Sequence, residues 1–327
     1  MQKRCKIENF FLFINFLKYT KMSEPVSNTL EKELSRLYQL GKKPVEYIST
    51  LSTLVVMLLY LNKKYGLSDS SIDDIKERYR QYGRLTKRQK VLIKPPEYYS
   101  WELCLNYDKN DHLIGSNRDE YYAQFYWKLR DKIEINPGKK IFCTFDITYY
   151  KNDIPDIGHI ELVIYDPEKN TLEHVNSNYL PKHVTRKEST YFESCEIIES
   201  ILRQVAAALP SVPKYINNND FYGGYDYGIQ SMEAASDLLT PNEKDGLCLM
   251  WTCLFAELAV QFPERSMKEI ITAIVDKSKL KSIKVDYSND YFLILIRGYI
   301  VDVSRELDMQ FTDETSLHSI CIKLSNL

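Results

Sequence analysis

The stretch Asp245-Gly246-Leu247-Cys248-Leu249-Met250-Trp251-Thr252-Cys253-Leu254-Phe255-Ala256-Glu257-Leu258-Ala259-Val260-Gln261-Phe262 decides the fold. From Leu247 onward only Thr252, Glu257 and Gln261 interrupt an apolar run that stops at Pro263. The run falls short of the about 20 residues a membrane span requires, so it predicts a helix buried nearly all round. Such a helix needs packing partners on every side, and the rest of the chain must supply them. Cys248 falls in its first turn, where unpaired N–H groups and a partial positive charge favour a thiolate over a thiol. Gly246, just before, allows a sharp turn and close approach of a substrate. Cys253 reads as packing only, since Cys is among the most buried residue types.

Working outward, the partners alternate in period. Residues 141–150 read as a strand, 158–166 as a second and 171–176 as a third, the last two joined by a hairpin turn at Pro167-Glu168-Lys169-Asn170. Helical spacing marks residues 193–209, about 266–277, and 118–135, the last stopped by Pro137-Gly138. Residues 291–303 form a C-terminal apolar stretch. Residues 210–228 read as a long aromatic, Asn- and Gly-rich loop, of a length that is usually functional or disordered, ending near Gln230. Further upstream, Leu30, Leu34, Leu37 and Leu40 keep helical spacing up to Gly41, and residues 45–61 form the most apolar part of the chain, diluted by Ser and Thr as a buried helix would be. Residues 67–94 are densely charged and read as a solvated helix and a basic linker, bounded by Pro95-Pro96. The expected architecture is α+β: a central, antiparallel-rich sheet packed against the buried Cys248 helix. Residues 1–94 are expected to form a helical N-terminal extension and basic linker, and residues 95–327 the catalytic domain.

Composition narrows the function classes. A 327-residue chain with 44% hydrophobic residues can bury a sizeable core, and a formal net charge of -2 gives no global field toward nucleic acid or an acidic membrane. Seven scattered cysteines, with no Cys-x-x-Cys pair, argue against a disulfide framework or a zinc cage and for a reducing compartment. Near the N-terminus Lys3 and Arg4 precede the apolar run 10–17, but no small-residue cleavage site follows, so a secretory leader is not expected and Met22 is a candidate start. His174 and His183 lie close to His159 in sequence without a carboxylate or Cys set at metal spacing, so neither metal nor cofactor is expected.

The chemistry-bearing residues are His159, Asn176, Gln230 and Cys248. His159 and Asn176 stand 17 positions apart across the hairpin, where antiparallel pairing brings such residues together when they share a face. An imidazole near neutral pH takes the proton of a thiol and returns it to a leaving amine, and a side-chain carbonyl on its other nitrogen fixes the useful tautomer. The order of motifs, Gly158-His159-Ile160-Glu161, then Leu172-Glu173-His174-Val175-Asn176-Ser177-Asn178, then Gly228-Ile229-Gln230-Ser231-Met232-Glu233, then Gly246-Leu247-Cys248-Leu249-Met250-Trp251, resembles one class of cysteine protease. That class includes SUMO-specific proteases, adenovirus endopeptidase, and the core and polyprotein proteases of poxviruses and African swine fever virus. The likeness covers about residues 140–265 and is greatest to the versions encoded by large DNA viruses.

The resemblance implies His159 as general base, Asn176 as its orienter, Cys248 as nucleophile, and Gln230 with the Cys248 backbone N–H as donors to the oxyanion. Ile160 stands where many members have an aromatic residue. Asn242 rivals Gln230 as donor, and Asn178 rivals Asn176 as orienter. The resemblance further implies cleavage of peptide or isopeptide bonds in viral precursor proteins or ubiquitin-like conjugates, within a host cytoplasm or virion. Protein substrates are the expected partners, with no specific nucleic acid and no membrane. Phe221, Tyr222, Tyr225 and Tyr227 are the expected lining of the substrate groove. The alternatives are a YopJ-type acetyltransferase, which shares the His, acid, Cys layout, and an inactive virion protein that keeps the fold.

Overall fold

The computed structural model describes residues 29–47, 51–65, 72–85, 102–110, 112–178, 189–222, 228–240, 247–279, 288–312 and 314–326. Three helices come first: α1 (Leu30–Leu40), α2 (Leu51–Tyr65) and α3 (Ile72–Arg84). Thr29 caps α1 by accepting from the Lys32 N–H, and Glu31 and Glu33 in the first turn complement the helix dipole. Strands β1 (Glu102–Tyr107) and β2 (Leu113–Ser116) follow, then α4 (Arg118–Ile135). Next come the meander β3 (Ile141–Lys151), β4 (Ile154–Asp166) and β5 (Thr171–Val175), and α5 (Ser189–Ala208). The chain continues through β6 (Lys214–Ile216), α6 (Asn218–Tyr222), α7 (Ile229–Ala234), α8 (Leu247–Gln261), α9 (Met267–Lys279), α10 (Asn289–Leu307) and α11 (Glu314–Ser325).

The fold is α+β, with a mixed six-stranded sheet of order β2-β1-β3-β4-β5-β6 among the described residues. Strand β1 runs parallel to β3, and β5 parallel to β6; the other neighbours are antiparallel. The expected meander is present, and its second strand starts earlier than expected. Asn152 and Asp153 both adopt positive φ (51° and 64°), the conformation of a two-residue hairpin turn, so pairing resumes at Ile154 rather than Gly158. His159 therefore lies inside β4 instead of opening it. Strand β5 pairs only with Leu162–Asp166, so among the described residues the first half of β4 has β3 on one side and no strand on the other.

Alternation along β4 divides the interior in two. Ile160, Leu162 and Ile164 face a large cluster built from α8, α10, α9, α6, α7 and the three N-terminal helices. Val163 and Tyr165 face a smaller one under α4 and α5. Helix α8 is buried from Leu247 through Ala259, as its apolar run requires. Its polar interruptions are all satisfied: Thr252 Oγ1 donates to the Ile160 carbonyl (3.2 Å), and Glu257 accepts from Tyr65, Tyr299, Lys64 and Gln261. Helices α1 and α10 cross at two glycines. A Cβ on Gly41 would stand 1.8 Å from the Ile294 carbonyl oxygen, and one on Gly298 1.8 Å from that of Leu37. Only glycine permits that approach.

Two expectations need correction. Residues 210–228 are no structureless loop, because β6 and α6 lie within them. Phe221 and Tyr222 are buried in the large cluster at 4% and 0% exposure, so they hold α6 in place and do not line a groove. The basic linker, the N-terminal apolar run and residues Tyr225, Tyr227, His183, Asn242 and Gly246 lie outside the described residues.

Candidate active site

The site forms where β4 loses β5. By strand alternation His159 and Glu161 share the face that carries Val163 and Tyr165, whereas Cys248 belongs to the cluster on the other face. Base and thiol thus start on opposite sides of the sheet. Among the described residues no strand flanks β4 beyond Leu162 on the β5 side, and there the His159 ring comes close enough to Cys248 for the thiol to raise the imidazole pKa. Thr252, one turn past Cys248, clips α8 to the backbone of Ile160, the residue after His159.

Each sequence-predicted residue can be placed. His159 Nε2 donates to Asn176 Oδ1 (3.0 Å), which leaves Nδ1 for the sulfur. Asn176 follows the last residue of β5 and is 1% exposed; its backbone N–H donates to Asn218 Oδ1 (2.7 Å) and its Nδ2 to Glu161 Oε1 (2.6 Å). Asn178, the rival orienter, is engaged elsewhere: its side-chain oxygen accepts from Ser231 Oγ (2.6 Å), and its backbone N–H donates to Asn176 Oδ1 (2.8 Å). Gln230 is tied twice to Ser177, the neighbour of Asn176. Its backbone N–H donates to the Ser177 carbonyl (2.8 Å), and its Oε1 accepts from Ser177 Oγ (2.9 Å). With Oε1 so held, the donor side of the amide turns away from Ser177. A buried bond from Trp251 Nε1 to Glu233 Oε2 (2.7 Å) joins α7, which carries Gln230, to the first turns of α8.

The electrostatics separate the two thiols of α8. Burial disfavours a charged His159, but the hydrogen bond and charge of Cys248, then Glu161 and Asn176, outweigh it and push the imidazole up to about 9. Cys248 is 7% exposed and the His159 side chain 8%, so both are largely buried. Burial pushes the Cys253 thiol up, with Glu257 and Cys248 adding to it. Glu161 was not foreseen as part of the site, although a carboxylate in the apolar run of β4, two residues from His159 and so on its face, was a readable signal. His174 joins the same network by donating from Nε2 to Glu161 Oε2, with Nδ1 3.1 Å from the Tyr215 hydroxyl. Among the described residues no group of three or more His, Cys, Asp or Glu is arranged to hold a metal. No helix there is long and apolar enough to cross a membrane.

No family model and no curated protein matches the chain. Among solved structures it is similar to the Legionella pneumophila effector protein RavZ at 12% identity and TM-score 0.33, over 86% of this chain and 66% of that one. It is also similar to the Chlamydia trachomatis effector protein ChlaDUB1 at 13% identity and TM-score 0.33, over 90% of this chain and 96% of that one. Likeness at this level leaves function to be argued from the residues.

Proposed function

We propose that the chain is a cysteine peptidase that cleaves peptide or isopeptide bonds through a thioester intermediate. The observation that carries this reading is a helix-tip thiol beside an imidazole, one nitrogen of which is held by a side-chain carbonyl. In this scheme the Cys248 proton rests on His159 Nδ1 and the thiolate Sγ attacks the scissile carbonyl carbon. The Cys248 backbone N–H and Gln230 Nε2 meet the oxyanion. The C–N bond breaks, His159 gives its proton to the departing amine, and a thioester remains on Cys248. Water, deprotonated by the same imidazole, then releases the acid and restores the thiol. Asn176 keeps the ring in the tautomer that serves both steps.

The substrate class follows from the sequence resemblance: precursor proteins of a virus, or conjugates of a ubiquitin-like modifier. The test is reaction of the full chain with C-terminal electrophile probes of ubiquitin and SUMO type, alongside iodoacetamide labelling of the Cys248 peptide. The expected result is labelling at Cys248 that disappears in His159→Ala. Labelling of Cys248 no faster than a free thiol, or unaffected by loss of His159, overturns the reading.

A further inference from the structure

Behind the Asn176 amide lies a carboxylate with fewer than one part in fifty of its side chain exposed, an arrangement that costs free energy unless hydrogen bonds and opposite charge offset it. Glu161 Oε1 accepts from Asn176 Nδ2 (2.6 Å) and stands 3.5 Å from His159 Nε2, while Oε2 accepts from His174 Nε2. The network around this carboxylate spans three strands. His159 shares β4, His174 and Asn176 come from β5 and its end, and Tyr215 on β6 holds the far nitrogen of His174. From β3, Tyr149 stands near enough that the charge of Glu161 is one reason its hydroxyl, like that of Tyr215, lies above its ordinary pKa, after burial.

We propose that Glu161 is a positioning residue that locks the Asn176 amide with Oδ1 toward His159 and supplies the negative charge which that amide lacks. The proposal rests on the reading of Cys248 and His159 as nucleophile and base. The first half follows from donor and acceptor inventory. A carboxylate only accepts, so Asn176 must turn Nδ2 toward Glu161 and Oδ1 toward His159 and the Asn178 N–H. A carbonyl at that place requires a proton on His159 Nε2, and the lone pair is then on Nδ1, beside the sulfur. The tautomer of the base is thus set two hydrogen bonds away. The second half follows from distance: an opposite charge within about 4–6 Å stabilises an imidazolium, and Asn176 alone provides none. His174, held by Tyr215, occupies the other carboxylate oxygen and keeps it from turning toward the ring.

The experiment uses the full chain and iodoacetate, an anionic reagent whose reaction with a thiolate is fastest while an imidazolium stands beside it. Carboxymethylation of the Cys248 peptide is followed by mass spectrometry from pH 5 to 10, as about a ten-step series. The wild-type protein is expected to give a bell whose alkaline limb reports His159. In Glu161→Gln, which keeps size and hydrogen bonding, that limb moves about one pH unit lower. Combining Glu161→Gln with Asn176→Asp exchanges the amide and the carboxylate within the pair, and it restores the limb. A folded Glu161→Gln variant with reduced rate and an unmoved limb overturns the proposal, as does a double variant that stays shifted. A wild-type protein without the bell removes the Cys248 and His159 reading itself, and the proposal with it.

Discussion

The two ends of α8 bury polar groups in opposite ways. Toward its C-terminus Glu257 is enclosed by Tyr65 (2.5 Å), Tyr299 (3.0 Å), Gln261 (3.0 Å) and the Lys64 ammonium (3.1 Å). Burial opposes the charge on Lys64, yet Glu257 and Glu306 hold its pKa above the usual lysine range. Acceptors and donors there are matched and a cation balances the anion, so the network is closed. At the N-terminal end Cys248 meets a base whose protonation can change, and the carboxylate behind it is met by imidazoles and an amide. Closed networks fix packing, whereas groups able to exchange a proton are what catalysis needs.

Substitutions at the two ends should separate along this line. Cys248→Ala should abolish turnover of a peptide or isopeptide substrate, a loss on the order of 10⁴-fold or more, while urea unfolding stays near wild type. Glu257→Ala should do the reverse. It takes the shared acceptor from the Tyr65 and Tyr299 hydroxyls and leaves Lys64 with Glu306 alone as its carboxylate partner, and a loss of about 2 kcal/mol in unfolding free energy is expected; unchanged stability would dissolve the contrast. Gln230→Ala should slow kcat by about 10²-fold with little change in the melting temperature, and an unaltered kcat would remove Gln230 from the oxyanion role.

Acidity offers a finer probe of the N-terminal end. His159 is lifted from 6.5 to about 9 in the folded chain, so the stability it contributes is complete below about 6.5 and is lost as pH rises through about 9. Urea midpoints measured between these values should fall in the wild-type protein and flatten in His159→Ala. The smallest effect is expected at Cys253→Ala, which removes one packed sulfur 2% exposed. It should cost about 1 kcal/mol and leave the reactivity of Cys248 intact, and any large loss of reactivity would mean that the two thiols of α8 are not independent.

Much of this was legible because it depends on local periodicity. The 3.6-residue spacing of Leu30, Leu34 and Leu37 with the stop at Gly41 places α1, and residues 118–135 form the helix expected of them. The strand Glu102–Tyr107 was not read, although Leu103, Leu105 and Tyr107 alternate, because it is short and runs parallel to a partner some forty residues later. The early start of β4 was hidden by Asn152 and Asp153, whose left-handed turn resembles a loop in composition.

By itself, then, the sequence determined that α8 is buried and that a thiol, an imidazole, an amide and a carboxamide recur in a protease-like order. The tertiary structure alone decided how they meet. Alternation puts His159 on the face away from α8, and the ring comes near Cys248 where β5 has stopped at Val175 and, among the described residues, no other strand flanks β4. A period-two pattern tells which side a residue faces, but not where the neighbouring strand ends. Nor does it reveal that Glu161 bridges Asn176 and His174, since that contact depends on register between strands.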